Sequence, residues 1–315
     1  MAAELILNAD ASHEEWLKVR NTGLGGSDAS AIMGYNLRKS ALQLWMEKTG
    51  QTEPEDLSNN ERVYWGTVLE EPVARRFAAE TGKRIRRSGT LRDDDHPYMI
   101  ANPDRMIIGE NAGLEIKTTA SYLGKNWEGD NIPDAYYFQC LHYMAVTGAD
   151  CWYIAALIGG QEMTYKCIHR RDEEIDMLRK AEAAFWQHVE DKTPPPADGS
   201  ESAARALAQM YRETKPEPYA LPEAAADLIQ IIDDANEAAK ELKAKTQLAK
   251  NQLAEMMGPY EVGVIGDRRV DYKYSKPRET IAVSKVKKQD PAAYEALKEI
   301  GLVTVSAASR SMRIY

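Results

Sequence analysis

The densest chemistry in this 315-residue chain lies in two short segments, Asn102-Pro103-Asp104 and, ten residues on, Glu115-Ile116-Lys117. Side chains on a strand alternate faces, so Glu115 and Lys117 share one face while Ile116 turns into the core. Where a second strand ends at Asp104 beside them, two carboxylates and an ammonium converge. Hard oxygen donors of this kind suit Mg²⁺ or Mn²⁺, which keep several waters and take phosphate oxygens from a substrate. Such an ion lowers the pKa of a bound water and offsets charge in the transition state. Lys117 could orient that water, deprotonate it, or stabilise charge on the phosphoryl group; deprotonation requires that its own pKa be lowered. Asp, a loop and Glu-x-Lys also occur on ordinary solvent-facing hairpins, so the pattern gains meaning from what surrounds it.

The elements that position these residues follow from capping and periodicity. Ser12-His13-Glu14-Glu15 reads as a capping box opening a helix through Trp16 to Arg20. Helices are expected at 27–33, 40–49 and 61–81, the last closed by Gly82. Strands are expected at 83–87, 99–108 and 112–117. A helix at 135–147 precedes strands at 151–158 and 162–169 joined through Gly159-Gly160, and an amphipathic helix at 172–189 follows. Helices flanking a small central sheet make an α/β core. The prolines at 194–196 cannot continue a helix and mark a boundary. The expected organisation is a domain at 10–193, a Pro-rich linker at 194–220 and a module at 221–315. In that module, 222–257 forms one long helix or a helical hairpin, with apolar positions such as Leu228, Ile232, Ala235 and Leu242. The stretches 261–265 and 269–274 flank Gly266-Asp267 as a β-hairpin.

Composition narrows the function classes. With 43% hydrophobic and 28% charged residues, the chain is globular rather than disordered. No apolar run approaches the ~20 residues needed to cross a bilayer, and the first ten residues lack a secretory pattern. Cys140, Cys151 and Cys167 have neither disulfide-framework nor iron–sulfur spacing, which points to a cytoplasmic protein without a membrane partner. The net charge of −9 works against non-specific nucleic-acid binding. Acidic metal ligands contribute to that charge, however, and a local basic surface suffices for DNA contacts. From Tyr260 onward eleven Lys/Arg stand against seven Asp/Glu, with a cluster at Lys285-Val-Lys-Lys288 that could touch DNA or form a solvated face.

Five segments in order make the sequence resemble the phage lambda exonuclease family of alkaline exonucleases, the YqaJ-type viral recombinases of the PD-(D/E)xK superfamily. They are Trp16-x-x-x-Arg20 with Gly25-Gly-Ser-Asp28, Trp65-Gly-Thr-Val-Leu-Glu70, Asn102-Pro-Asp104, Leu114-Glu-Ile-Lys117, and Tyr136-Tyr-Phe-Gln139 with Tyr143-Met144. The resemblance spans about 16–189 and implies a restriction-endonuclease-like PD-(D/E)xK core, a central mixed sheet flanked by helices. The C-terminal helical and β-hairpin module lies outside it. The resemblance also implies that Glu70, whose neighbour Glu71 is also acidic, joins Asp104, Glu115 and the Ile116 carbonyl around one or two Mg²⁺, with Mn²⁺ as substitute. Gln139 would hydrogen-bond near the attacking water or the scissile phosphate. Arg20, Gly26 and Ser27 would hold a 5′-phosphate. Elementary chemistry favours that pocket too: Arg20 can bind phosphate in bidentate fashion, glycine permits close approach, and Ser27 opens a helix. The plainer reading is an N-capped helix after a glycine turn. Tyr137, Phe138 and His142 read as structural. Asn102 stands where the lambda enzyme has serine, and it too can donate a hydrogen bond.

The implied activity is a Mg²⁺-dependent 5′-to-3′ exonuclease on linear double-stranded DNA. It would leave 3′ single-stranded overhangs for phage-type recombination in a bacterial host. A single-strand annealing protein and a homo-oligomer, a trimeric ring, are the implied partners. Two alternatives stand beside it: an endonuclease on the same core, and a non-catalytic DNA-binding or interaction protein carried by the long helix and basic end. Against the latter, a binding module gains nothing from burying carboxylates together.

Overall fold

The computed structural model describes residues 3–55, 57–277 and 280–305, which fall into two units, Met1–Arg212 and Glu213–Tyr315. The first unit opens with β1 (Glu4–Leu7), α1 (His13–Arg20), α2 (Gly26–Ile32), α3 (Ala41–Lys48) and α4 (Glu61–Thr81). Short strands follow: β2 (Ile85–Arg86), β3 (Thr90–Arg92), β4 (Ile100–Ala101) and β5 (Arg105–Ile107). Then come β6 (Ala112–Thr119), α5 (Asp134–Thr147), β7 (Cys151–Ile158), β8 (Glu162–His169), α6 (Asp172–Glu190) and α7 (Glu201–Met210).

The central sheet is mixed, in the order β2-β5-β6-β7-β8, with β6 and β7 parallel and the other neighbours antiparallel. A parallel pair needs a crossover, and α5 supplies it. Period-two alternation sends Leu114 and Ile116 toward α4, where they meet Val73, Ala74 and Phe77. Phe77 is fully buried, a contribution of about 1.5–3 kcal/mol. The opposite face carries Trp152, Ile154 and Ala156 against Leu141 and Met144 of α5 and Ile175 and Leu178 of α6. Glu115 and Lys117 therefore leave β6 on the α5 side. Ser12 and Glu15 make the expected capping box, and Gly82 ends α4 at φ 69°, a conformation glycine adopts without penalty. The architecture is mixed α/β.

Three expectations change. The stretch 99–108 is not one strand. Ile100–Ala101 joins a second sheet of order β1-β3-β4, Arg105–Ile107 joins the central one, and the chain changes sheet at 102–104. Pro103 explains the break, because proline has no N–H to give a ladder. Second, the 83–87 strand shrinks to two residues, and β1, which precedes the expected domain start at 10, pairs with β3. Third, the expected linker 194–220 contains α7. Ser200 caps it, its small residues Ala203 and Ala206 are buried, and Ser202 Oγ accepts from the Ser40 N–H at 3.0 Å. Small side chains let α7 approach α3, so the unit runs on to Arg212 rather than ending at 193.

The second unit holds α8 (Ala225–Met257), β9 (Val262–Ile265), β10 (Arg268–Asp271), α9 (Val283–Gln289) and α10 (Pro291–Glu299). The 222–257 segment is one 33-residue helix and not a hairpin, and β9–β10 form the expected hairpin through Gly266. Lys285, Lys287 and Lys288 lie on α9, and residues 306–315 of the expected module lie outside the described residues. Among the described residues, no helix is long and apolar enough to cross a membrane.

Candidate active site

The break at Pro103 presents Asp104 at the start of β5. Arg105 pairs with Leu114 and Met106 with Gly113, so the same register continued by one residue sets Asp104 opposite Glu115. Asp104 Oδ2 accepts from the Ile116 N–H at 2.7 Å, which fixes its carboxylate to the neighbouring strand. Glu115 Oε1 accepts from Lys117 Nζ at 2.5 Å and from Gln139 Nε2 of α5 at 2.6 Å. Gln139 also bonds the Tyr143 hydroxyl at 2.9 Å, and that hydroxyl donates to the Asn102 carbonyl at 3.2 Å. Lys117 Nζ sits 4.9 Å from the centre of the Tyr136 ring. Asp104, Glu115 and Lys117 border an open cleft of ≈ 240 Å³, shared with Glu70, Gly66 and Thr67 of α4 and with Ile116.

The electrostatics are unbalanced. Burial, then Glu115 and Glu70, push the Asp104 carboxyl well above the usual carboxylate range, against the pull of Lys117. Burial also raises Glu115, which Lys117 only partly offsets. For Lys117, burial alone would lower the pKa, but Glu115 and Asp104 outweigh it and hold the ammonium above the ordinary lysine value. The lowering that a lysine base requires is therefore not what this arrangement produces. With no ion bound, Lys117 serves as a donor to Glu115.

Glu70 lines the cleft, yet its carboxylate is engaged by Arg105. The Arg105 guanidinium donates to Glu70, to Glu71 at 2.8 Å and to the Asp104 carbonyl. Among the described residues, no three His, Cys, Asp or Glu side chains are gathered as a metal-holding group. Asp104 and Glu115 meet, and Glu70 stands apart on its ion pair. The donor set nevertheless fits a hard dication. A buried carboxylate, Glu115, and a half-buried one, Asp104, face one ammonium, and Glu115 Oε2 is buried without a hydrogen-bond partner among the described residues. Arg105 escaped the sequence reading, although two adjacent acids at 70–71 called for a nearby cation. On the outer side of Arg105 lies a second cavity, ≈ 380 Å³, bordered by Arg75, Arg86 and Arg87 as well as Glu71.

The predicted phosphate residues do come together. Arg20 donates to Ser27 Oγ at 2.9 Å and stacks 5.0 Å above the Trp16 ring. Gly26 has a different reason from the expected one. A Cβ there would lie 2.6 Å from the Tyr143 ring and 3.0 Å from Gln139, so glycine is needed for α2 to pack on α5. Sequence reading also missed Lys48, which is buried against Asp28 at 3.1 Å and donates to the carbonyls of Arg20 and Gly23. Burial would raise Asp28, but Lys48 and then Arg20 outweigh it and hold the carboxyl below its usual value. Asn102 acts as acceptor rather than donor: its Oδ1 takes Trp16 Nε1 at 3.1 Å and Thr90 Oγ1 at 2.6 Å, tying α1 to the cleft. His142 lies in the core, bonded to Glu182 at 2.8 Å and the Ile100 carbonyl at 2.9 Å.

Comparison with known proteins gives this geometry a family. A model of the YqaJ-like viral recombinase domain matches residues 15–150. A relative named uncharacterized protein YqaJ, from Bacillus subtilis strain 168, is 39% identical over 303 residues, covering 95% of this chain and 94% of that one. Among solved structures, the alkaline exonuclease LHK-Exo of Laribacter hongkongensis aligns with TM-score 0.51 at 20% identity, over 57% of this chain and 94% of its own. The same enzyme in complex with dAMP aligns with TM-score 0.51 at 21% identity, over 62% and 99%. At those identities the solved structures speak for the fold alone, and the kinship rests on the sequence relative and the domain match. On that ground the chain belongs to the YqaJ-like viral recombinase family.

Proposed function

We propose that this chain is a Mg²⁺-dependent 5′-to-3′ exonuclease of the PD-(D/E)xK type, acting on ends of linear double-stranded DNA and leaving 3′ single strands for annealing. One observation carries the reading: Asp104, Glu115 and Lys117 converge in an open cleft where a buried carboxylate oxygen of Glu115 lacks a partner among the described residues. Asp104, Glu115 and the Ile116 carbonyl would hold the cation, joined by Glu70 once it leaves Arg105. Bound there, a dication supplies an acidified water and offsets charge on the phosphoryl oxygens. Lys117, kept protonated, donates to the attacking water or to a non-bridging phosphate oxygen and stabilises charge as it develops. Gln139 fixes the Glu115 carboxylate and, through Tyr143, the strand end at Asn102.

Arg20 and Ser27 grip the terminal 5′-phosphate, with Lys48 and Asp28 holding the backbone beneath them. The arginine-lined cavity beside Arg105 suits backbone phosphates, which answers the net charge of −9 with a local positive surface. That a family-fold enzyme, LHK-Exo, has been crystallised with dAMP supports a nucleotide as ligand. A single-strand annealing protein is the expected consumer of the product. The test is digestion of linear duplex bearing 5′-phosphate or 5′-hydroxyl ends, with closed circular DNA alongside. Faster loss of the 5′-phosphorylated strand, inactivity of Lys117→Ala and an intact circle are expected. Equal rates on the two ends would remove the phosphate pocket, and circle cleavage would make the enzyme an endonuclease.

A further inference from the structure

Arg105 belongs to two cavities at once. Its side chain is only 4% exposed, so its charge must be met by partners inside the protein. Nη1 donates to Glu70 and to the Asp104 carbonyl, and Glu70 and Asp104 line the carboxylate cleft. Nη2 donates to Glu71 at 2.8 Å, and Glu71 lines the ≈ 380 Å³ outer cavity together with Arg105 itself. One planar guanidinium therefore holds an acid of each cavity.

The outer cavity is short of anions. Arg75, Arg86, Arg87 and Arg105 border it, and Glu71 is its one acidic neighbour among the described residues. Glu71 is already shared, accepting from Arg75 and from Arg105, each at 2.8 Å. Strand register adds to the excess. Ile85 pairs with Ile107 and Arg86 with Met106, so the same register continued by one residue sets Arg87 opposite Arg105. Like charges directly opposite on neighbouring strands are destabilising, and an anion between them reverses the sign. Arg87 is exposed and makes no ion pair among the described residues. Guanidinium forks in this number suit a tetrahedral oxyanion such as a phosphate group. The two cavities cannot then fill independently. A dication that takes Glu70 as a ligand strips one carboxylate from a buried guanidinium, and an uncompensated buried charge is costly. A phosphate oxygen arriving from the outer side replaces the partner that Arg105 loses.

We infer that the outer cavity is an oxyanion site for a backbone phosphate of the DNA, and that Arg105 couples its occupation to cation binding in the cleft by exchanging Glu70 for the phosphate. The coupling is reciprocal, so each ligand tightens the other by the same factor. Glu70 is released to the cation when a strand is in place, which ties assembly of the metal site to the presence of substrate. The inference rests on the reading of the cleft as a metal site.

Calorimetric titration of the full-length chain with Mg²⁺, in chloride and in sulfate of equal ionic strength, tests it, with inorganic sulfate as the probe for the phosphate group. Sulfate pairs weakly with Mg²⁺ in solution and so acts against the expected effect. The parent is expected to bind Mg²⁺ about five-fold or more tightly in sulfate. Arg87→Gln removes a donor of the outer cavity, and Arg105→Lys keeps the charge but not the fork that reaches both acids. Both variants are expected to bind Mg²⁺ equally in the two salts. Arg87 is exposed, so Arg87→Gln carries the test should Arg105→Lys fail to fold. A parent with equal or weaker Mg²⁺ affinity in sulfate would overturn the inference and leave the metal site standing. A full sulfate effect in either folded variant would overturn it as well. A parent that binds no Mg²⁺ in either salt would remove the metal reading itself, and this inference with it.

Discussion

Asp104→Asn should abolish nuclease activity and at the same time make the metal-free protein more stable. Asparagine has the shape of aspartate and its Oδ1 can keep the 2.7 Å bond from the Ile116 N–H. What it removes is a charge that burial, Glu115 and Glu70 all disfavour. Relieving one disfavoured buried charge is worth about 1–3 kcal/mol. For a unit of this size, about 2 kcal/mol raises the melting temperature by about 4–8 °C. The pH dependence has a definite sign. Asp104 ionises at about 3.9 when unfolded and higher when folded, so within that window the folded state binds more protons and stability falls as pH rises. Below about pH 4 both states are protonated and parent and variant should melt together, whereas the gap opens through the window and stays open at pH 8. Mg²⁺ should close it from the other side: at about a hundred times its dissociation constant it adds about 2.7 kcal/mol to the parent and little to the variant. The assay is calorimetric or fluorescence melting at about pH 3 and pH 8, in chelator and in a Mg²⁺ series. An Asp104→Asn protein that melts at or below the parent in chelator at pH 8 would refute the reasoning. An equal Mg²⁺ shift in both proteins would refute it too.

Two further perturbations separate packing from charge. Gly26→Ala drives a methyl to 2.6 Å from the Tyr143 ring, so it should cost about 1–3 kcal/mol in thermal melting. It should also lower turnover through Gln139 more than it alters DNA affinity. Replacing Arg86 and Arg87 together with serine removes the two cations of the second cavity that make no ion pair among the described residues. The slope of log affinity against log salt should shrink by about 1–2 when duplex binding is followed by anisotropy without Mg²⁺, and an unchanged slope would place the phosphates elsewhere.

The parts of the site that could be read from sequence are those governed by local periodicity. Glu115 and Lys117 share a face because strand side chains alternate, and helix α4 keeps its expected bounds because Asn60 and Gly82 cap it. Pro103 was equally visible, but its consequence was not. A proline that ends one strand can also switch the chain between sheets, and that switch exposes Asp104. What sequence could not yield were pairings across long separations. Arg105 reaches back 35 positions to Glu70 and Lys48 reaches 20 positions to Asp28, and neither distance is set by a local period. Gly26 shows the limit in another way. Its identity pointed to close approach, but the object approached is Tyr143 rather than a ligand.

Arg105 organises the charge of the first unit. It is buried in the strand that follows Asp104, and it holds Glu70 and Glu71 on one guanidinium. Without that cation, Glu70 would stand unpaired at the cleft that Asp104 and Glu115 share with a single lysine. With it, the acids divide: Asp104 and Glu115 stay on the inner cleft with Lys117, and Glu71 turns outward toward Arg75. The division leaves a carboxylate-rich cleft, fit for a dication, directly beside an arginine-rich hollow, fit for phosphates. On the proposed reading, that hollow is where a chain of net charge −9 would meet a polyanion, because a local surface need not match the average composition. The same ion pair engages the carboxylate of Glu70 at the lining of the cleft. On the proposed reading, a dication that drew Glu70 from Arg105 would complete the acidic set, whose Asp104 and Glu115 carboxyls burial holds above the usual carboxylate range while no ion is bound.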